Sequence, residues 1–222
     1  MIDKLYELLL RVTSRPKERG EYSAGYWQAK IRQAAIGLAG GYTGRLLEVG
    51  CGEGLFLKGL HRINAGLRLY GVDSWDRMLE RARQLLAENE NTVTFSKADG
   101  RHLPFDNGFF DAVVCVNVFL NVEGLSVVRQ ILEEMARVCR PGGRIIVEFR
   151  NSFNPLLVLK FRLASFYDAT VRERKLPLNT YRREDIVDLL KGFDFSVTRG
   201  LYLDFPIKKF APIIILEAQK NV

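Results

Sequence analysis

The sequence predicts an α/β fold: a doubly wound, mostly parallel sheet of seven strands that ends in an antiparallel hairpin. Three observations carry this. Leu46-Leu47-Glu48-Val49-Gly50-Cys51-Gly52-Glu53-Gly54 reads as a short buried strand running into alternate glycines, and Leu55 to Leu60 begins a helix. From Arg45 onward, strand-like and helix-like stretches alternate, as in a parallel sheet covered on both faces. Near the end, strands around 195–203 and 210–219 follow one another across a short loop headed by Asp204-Phe205-Pro206. No crossover helix fits there, so the two must pair antiparallel.

The elements follow in order. Residues 2–12 have helical apolar spacing, Ser14 to Gly20 breaks it, and a second helix runs from Tyr22 to about Leu38, stopping at Gly40-Gly41. Residues 1–44 are therefore expected to form a helical cap on residues 45–222, one globular unit. Strand 45–50 leads to a helix ending near His61. Strand 67–72 ends at Asp73, and a helix over 75–89 follows. Strand 93–98 ends at Asp99, strand 111–117 at Asn117, and a helix of roughly 123–139 comes next. Arg140-Pro141-Gly142-Gly143 reads as a firm turn before strand 144–149. A helix over 155–172 gathers Leu156, Leu159, Leu163 and Phe166 on one face, expected to pack on the sheet. The same face would also suit a lid or a membrane surface. Arg183 to Lys191 forms a last helix, ended by Gly192.

Length and composition bound the function. At 222 residues and 47% hydrophobic, the chain holds one α/β domain with a substantial core. Apolar runs such as Pro212 to Leu216 are too short to span a bilayer, and no signal-peptide pattern is seen, so a cytoplasmic protein is expected. Cys51, Cys115 and Cys139 form no C-x-x-C pair, and His61 and His102 have no ligand spacing, so no metal is implied. The formal charge of +7 divides into +3 over residues 1–44, −1 over 45–149 and +5 over 150–222. Basic ends suit an anionic partner such as a phosphorylated substrate, RNA or a lipid headgroup. The lack of a Lys/Arg-rich block favours a solvated basic surface instead.

The loop chemistry narrows the ligand. A dinucleotide fingerprint G-x-G-x-x-G would need glycine at position 55, which is Leu55. Glu48 and Glu53 would also repel a pyrophosphate. S-adenosylmethionine has no phosphate but carries a sulfonium and an ammonium, which suit an acidic cleft. In open α/β sheets the ligand lies beyond the strands' carboxyl ends. Polar residues stand there in succession: Glu48 with Gly50-Cys51-Gly52, then Asp73, 23 residues after Gly50, then Asp99-Gly100, then Val116-Asn117. Any one acid is explained equally well as a loop residue or helix cap. Their recurrence at consecutive strand ends is not.

On these residues the chain resembles the class I S-adenosylmethionine-dependent methyltransferases of the small-molecule type, similar to the ubiquinone/menaquinone methyltransferase group. The matching stretches are Leu46 to Gly54, Gly71-Val72-Asp73, Ala98-Asp99-Gly100, Leu103 to Asp111 and Leu132 to Gly143. The resemblance covers 45–150 closely and the terminal hairpin loosely. It implies the Rossmann-like methyltransferase fold, with S-adenosylmethionine as cofactor and S-adenosylhomocysteine as product. It also implies that Glu48, Gly50, Cys51 and Gly52 hold the methionine part, Asp73 and Ser74 the ribose, and Asp99, Gly100 and Arg101 the adenine. Val116 and Asn117 would then flank the sulfonium. Many relatives carry a Glu-His pair after the fourth strand, where this chain has Val116-Asn117-Val118-Phe119-Leu120-Asn121. No catalytic base is therefore assigned.

Candidate acceptor-side groups are Tyr22, Tyr26, Trp27, Arg150, Asn151, Asn154 and Tyr181, although packing and capping explain the same residue types. The expected function is methyl transfer to a small-molecule or lipid-like acceptor, with peripheral membrane contact and oligomeric state left open. Transfer to RNA, a cofactor-binding protein without catalysis, and a nicotinamide oxidoreductase are the alternatives. RNA is disfavoured by the absence of an Asn/Asp-Pro-Pro-aromatic tetrad, and the oxidoreductase by Leu55 and the acidic loop.

Overall fold

The computed structural model describes residues 26–89, 93–167 and 177–222. The expected helix at 2–12, its break and Tyr22 lie outside the described residues. Helix α1 (Tyr26–Ala39) precedes β1 (Arg45–Val49), α2 (Leu55–Ile63), β2 (Arg68–Asp73), α3 (Asp76–Leu85) and β3 (Val93–Lys97). Then come β4 (Phe110–Cys115), α4 (Gly124–Val138), β5 (Cys139–Arg150), α5 (Pro155–Tyr167), α6 (Arg183–Gly192), β6 (Phe195–Leu203) and β7 (Ile213–Lys220).

The strands form one sheet in the order β3-β2-β1-β4-β5-β7-β6. The first five are parallel to their neighbours, and β7 runs antiparallel between β5 and β6. Successive side chains leave a strand on opposite faces, and this sorts the core into two layers. Leu47, Val49, Val113 and Val147 pack toward α4 and α6. Leu46, Ala112, Val114 and Ile146 pack toward α1, α2 and α3. Strand order reverses at β1, which lies between β2 and β4, so the crevice opens at its carboxyl end.

Two expectations need correction. Arg140-Pro141-Gly142-Gly143 is not a turn ahead of the fifth strand but an irregularity within β5. Phe110 pairs with Cys139 and Ala112 with Arg144, so residues 140–143 stand opposite Asp111 alone. Gly142 takes the positive φ of 70° that this requires. Asp111 secures the bulge, accepting from Arg140 Nε at 2.7 Å and from the Arg45 backbone N–H at 2.7 Å.

Helix α5 is the larger departure. Its start is well defined: Asn154 Oδ1 accepts from the Leu157 N–H at 2.8 Å, and Pro155 stands at the first helical position, where no N–H is needed. The face turned inward, however, is that of Leu157 and Ala164. Leu156, Leu159, Leu163 and Phe166, expected against the sheet, are 72%, 54%, 44% and 78% exposed. Among the described residues no helix is long and apolar enough to cross a membrane.

The stretches Leu103–Asp111 and Leu132–Gly143 turn out to be one clamp. Arg137 Nε and Nη2 bind the Glu134 carboxylate at 2.6 and 2.8 Å. Its Nη1 reaches the Phe105 carbonyl at 2.7 Å, and Nη2 the Leu103 carbonyl at 2.8 Å. Glu134 in turn accepts from the Leu103 N–H at 2.7 Å. A loop that would otherwise carry unpaired backbone groups over α4 is held by one guanidinium.

Candidate functional site

The glycine loop after β1 is tied to the end of β2. The N–H groups of Gly50 and Cys51 both donate to the Val72 carbonyl, at 2.8 and 2.9 Å. Gly52 N–H donates to Asp73 Oδ2 at 2.9 Å, and Trp75 N–H to Asp73 Oδ1 at 3.0 Å. Gly50 has φ 74°, and a Cβ there would lie 2.4 Å from Val118 Cγ2, so only glycine lets the loop meet the segment after β4. Gly52 has φ 51° and open space within 4 Å of where its Cβ would be.

Beside this opening sits Glu48, 3% exposed, with Oε2 lacking any hydrogen-bond partner. Burial pushes its carboxyl well above the ordinary range; the Arg32 guanidinium on α1 opposes the shift and Asp73 adds to it. Glu53 is different from the reading above: it pairs with Arg81 of α3 at 2.7 Å, so the acidity of the cleft comes from Glu48 and Asp73.

At the end of β3, Asp99 is forked by Arg101 at 2.6 Å and accepts its backbone N–H at 2.9 Å. These contacts, the side-chain bond first, hold its carboxyl down at about 2. Gly100 lies against Val49, where a Cβ would approach to 3.0 Å. Ser74 is exposed at the end of β2.

Beyond β4, Val116 is buried and Asn117 takes a positive φ of 61°, uncommon for a residue with a side chain. Its N–H donates to Glu148 Oε2 at 2.9 Å. Glu148 also pairs with Arg150, two residues on and on the same face of β5, both almost fully buried. Arg150 Nη2 reaches Asn117 Oδ1 at 3.4 Å, while its Nε is buried without a partner. Among the described residues, the crevice therefore holds one orphaned acceptor, on Glu48, and one orphaned donor, on Arg150.

Residues 47–147 match the family described as a methyltransferase domain. The chain is 33% identical over 151 residues to the phosphatidylethanolamine N-methyltransferase of Cereibacter sphaeroides, covering 66% of this chain and 71% of that protein. The chain belongs to the class I S-adenosylmethionine-dependent methyltransferases. The chain is also 33% identical over 159 residues to the demethylmenaquinone methyltransferase of Deinococcus radiodurans, covering 71% of this chain. It spans only 61% of that relative's length. Among solved structures, magnesium protoporphyrin IX methyltransferase from Synechocystis PCC 6803 with bound SAH has a TM-score of 0.68 and 22% identity. That likeness covers 88% of both chains and concerns the fold.

S-adenosylmethionine suits the crevice. The orphaned oxygen of Glu48 suits a cationic group, and Glu48 and Asp73 together suit a ligand without phosphate. Gly52 leaves room where any side chain would intrude.

The acceptor-side candidates separate. Trp27 is half-buried, with Lys160 Nζ 4.7 Å from its ring centroid. Tyr26 opens α1. The Asn151 amide donates to the carbonyls of Lys209 and Ala211, each at 2.9 Å, and its oxygen accepts from Phe153 N–H at 3.0 Å. The Asn154 amide donates to the Phe210 carbonyl at 2.6 Å. The buried Tyr181 hydroxyl donates to the Phe119 carbonyl at 2.9 Å, and burial pushes it up to about 12. These three side chains tie loops together; Arg150 alone keeps a buried donor unused. Sequence reasoning missed Glu148 and Arg32. The signal for Glu148 was the pair of charges at 148 and 150 within an otherwise apolar strand, two residues apart and hence on one face.

A cavity of about 370 Å³ lies at the opposite edge of the sheet, lined by Tyr42, Asp111, Arg140, Arg144, Arg199 and Glu217 among others. Arg140 is paired with Asp111 and Arg144 with Glu217, both at 2.7 Å. It lies away from the strands' carboxyl ends and is not the ligand crevice.

Proposed function

We propose that this chain binds S-adenosylmethionine at the carboxyl ends of β1 to β4 and moves its methyl group to a small-molecule, lipid-like acceptor. The observation that carries the reading is the buried, unpartnered oxygen of Glu48 beside the open, positive-φ Gly52. In this reading Glu48 holds the ammonium, and the Gly50-Cys51-Gly52 backbone lies under the methionine part. Asp73 with Ser74 binds the ribose hydroxyls, Asp99 with the backbone of Gly100 and Arg101 binds the adenine, and Val116 and Asn117 border the reacting end. When bound, S-adenosylmethionine supplies an electrophilic methyl group on its sulfonium sulfur.

What remains for the protein is positioning, which can contribute several kcal/mol. Glu148 and Arg150 pin Asn117, and Arg150 Nε is offered to the acceptor side. No base is assigned. Glu148 is neutralised by Arg150, and Cys51 and Cys115 are pushed up by burial first and neighbouring carboxylates second. An acceptor that is already nucleophilic fits such a site. The named relatives act on phosphatidylethanolamine and demethylmenaquinone, each an apolar body with a polar reactive head. Three unpaired, buried cysteines suit a reducing compartment, which supports a cytoplasmic setting.

The test is incubation of purified protein with S-adenosylmethionine and separate pools of lipid extract, water-soluble metabolites and RNA, read as a mass gain of one CH2. Methylation confined to the lipid pool supports the reading. Cofactor binding with no methylated product in any pool overturns the enzyme assignment and leaves a binding protein.

Glu48 adds a pH prediction. Its folded pKa is raised, so in the cofactor-free fold the ionised form is the costly one, and stability is lost as pH rises through that pKa. A bound ammonium lowers it again. Cofactor binding is therefore expected to release protons, and affinity to rise with pH until Glu48 is ionised in the free protein. Calorimetry in two buffers of different ionisation enthalpy reads this release, and Glu48→Gln should abolish it. Equal proton release in that variant would show that another group is responsible.

A further inference from the structure

We propose that the outer face of α5, together with the loop between β6 and β7, docks this chain onto an anionic lipid bilayer. At about 100° per residue, Leu156, Leu159, Leu163 and Phe166 fall within an arc of about 80°. Lys160, whose ammonium also lies over the Trp27 ring, and Arg162 flank that arc, each about 40° beyond its edge. The helix contains no acidic residue. Its buried side, Leu157 and Ala164, is turned the other way, so the exposed arc is not a misplaced core stripe. An apolar arc between two cations is the pattern of a helix lying in a membrane interface, with aliphatic side chains at the acyl boundary and cationic heads among the phosphates.

A second element extends the face. The loop after β6 exposes Phe205 and Ile207 and continues into Lys208 and Lys209, both exposed. It is fixed to the start of α5, since the Asn154 amide donates to the Phe210 carbonyl and Lys209 Nζ lies 5.5 Å from the Phe153 ring centroid. Of the large hydrophobic residues exposed among the described residues, most belong to this helix, the turn before it and this loop. Clustering of that kind marks an interaction surface.

Charge selects the partner. Two copies of the chain meeting through this face would oppose lysines and arginines to their own kind. RNA would leave the leucines in water. An anionic bilayer satisfies both parts. The face also lies at the sheet edge where β5 ends and β7 begins, the edge onto which Glu48, Asp73 and Asn117 open. Docking there would bring the crevice to the lipid surface. The inference stands on the surface and is read without methyl transfer, so it fails or holds separately from the enzyme assignment.

The experiment is vesicle flotation of the full chain with phosphatidylcholine alone and with phosphatidylcholine mixed with phosphatidylglycerol. Binding to the anionic vesicles and much less to the neutral ones is expected. Lys208→Glu/Lys209→Glu should weaken it by about tenfold or more, since each cation near an anionic surface is worth about fivefold. Leu159→Asp/Leu163→Asp should weaken it by a similar factor or more. Both variants alter exposed side chains and should melt as the unaltered protein does. The proposal is overturned if the unaltered chain stays out of the floated fraction or binds both vesicle types equally. It is equally overturned if the leucine variant floats undiminished, or if light scattering shows a dimer that this variant converts to monomer.

Discussion

Replacing Asp73 with alanine is expected to weaken S-adenosylmethionine binding by about a hundredfold or more in calorimetric titration. The carboxylate holds two backbone donors of the cradle, Gly52 N–H at 2.9 Å and Trp75 N–H at 3.0 Å. In the proposed site it also accepts from the ribose. Hydrogen bonds to a charged group contribute about 1.5–3 kcal/mol each, and two such losses exceed a hundredfold. Without cofactor the change in melting temperature should be small, because Trp75 is exposed and water can replace the lost acceptor there. Asp73→Asn keeps one acceptor oxygen and should lose less. Asp73 also helps raise the pKa of Glu48, so its removal should shift the pH dependence of the remaining binding downward. Undiminished affinity in the alanine variant would place the cofactor elsewhere.

The second large effect concerns stability. Glu148→Gln keeps the side chain's shape but leaves the Arg150 guanidinium charged and uncompensated in a site where both partners are 3% exposed or less. Breaking one half of a buried ion pair costs about 3–5 kcal/mol. For a chain of this size that is roughly 10 °C of melting temperature. Replacing both members, as Glu148→Gln/Arg150→Met, should recover much of the loss, because the penalty lies in the orphaned charge rather than in the absence of the pair. Thermal melts of the two singles and the double form a cycle; strictly additive losses would show that the pair does not act as a unit. The double variant removes the Arg150 donor to Asn117 Oδ1, while the glutamine amide oxygen can still accept from the Asn117 N–H, so the positive φ of Asn117 should persist and cofactor affinity should change little.

The sheet, its hairpin and the acidic strand ends were legible because each is written locally. An apolar run followed by glycines marks a strand and its turn, and a carboxylate at a strand's end needs no partner to be noticed. What could not be read depends on which strands become neighbours. Glu148 acquires its role only when β5 lies beside β4 and brings it under the Asn117 N–H, 31 residues earlier. Glu53 looked like part of an acidic loop until α3 supplied Arg81. In α5 the periodicity correctly gathered four apolar residues on one stripe, but period alone does not say which stripe faces in. Leu157 and Ala164 took the inner side. The Pro-Gly-Gly turn shows the same limit: its residues do break regular pairing, yet the ladder resumes on both sides of them.

The position of β7 between β5 and β6 dictates an order of assembly. Every neighbouring pair on the parallel side is made with a strand already synthesised, whereas β6 has no partner but β7, which follows it in the chain. β6 therefore joins the sheet only through the strand that follows it, which takes the inner place against β5. The edge bearing the loop with Phe205 and Ile207 accordingly depends on β7 being made, whatever has folded before it.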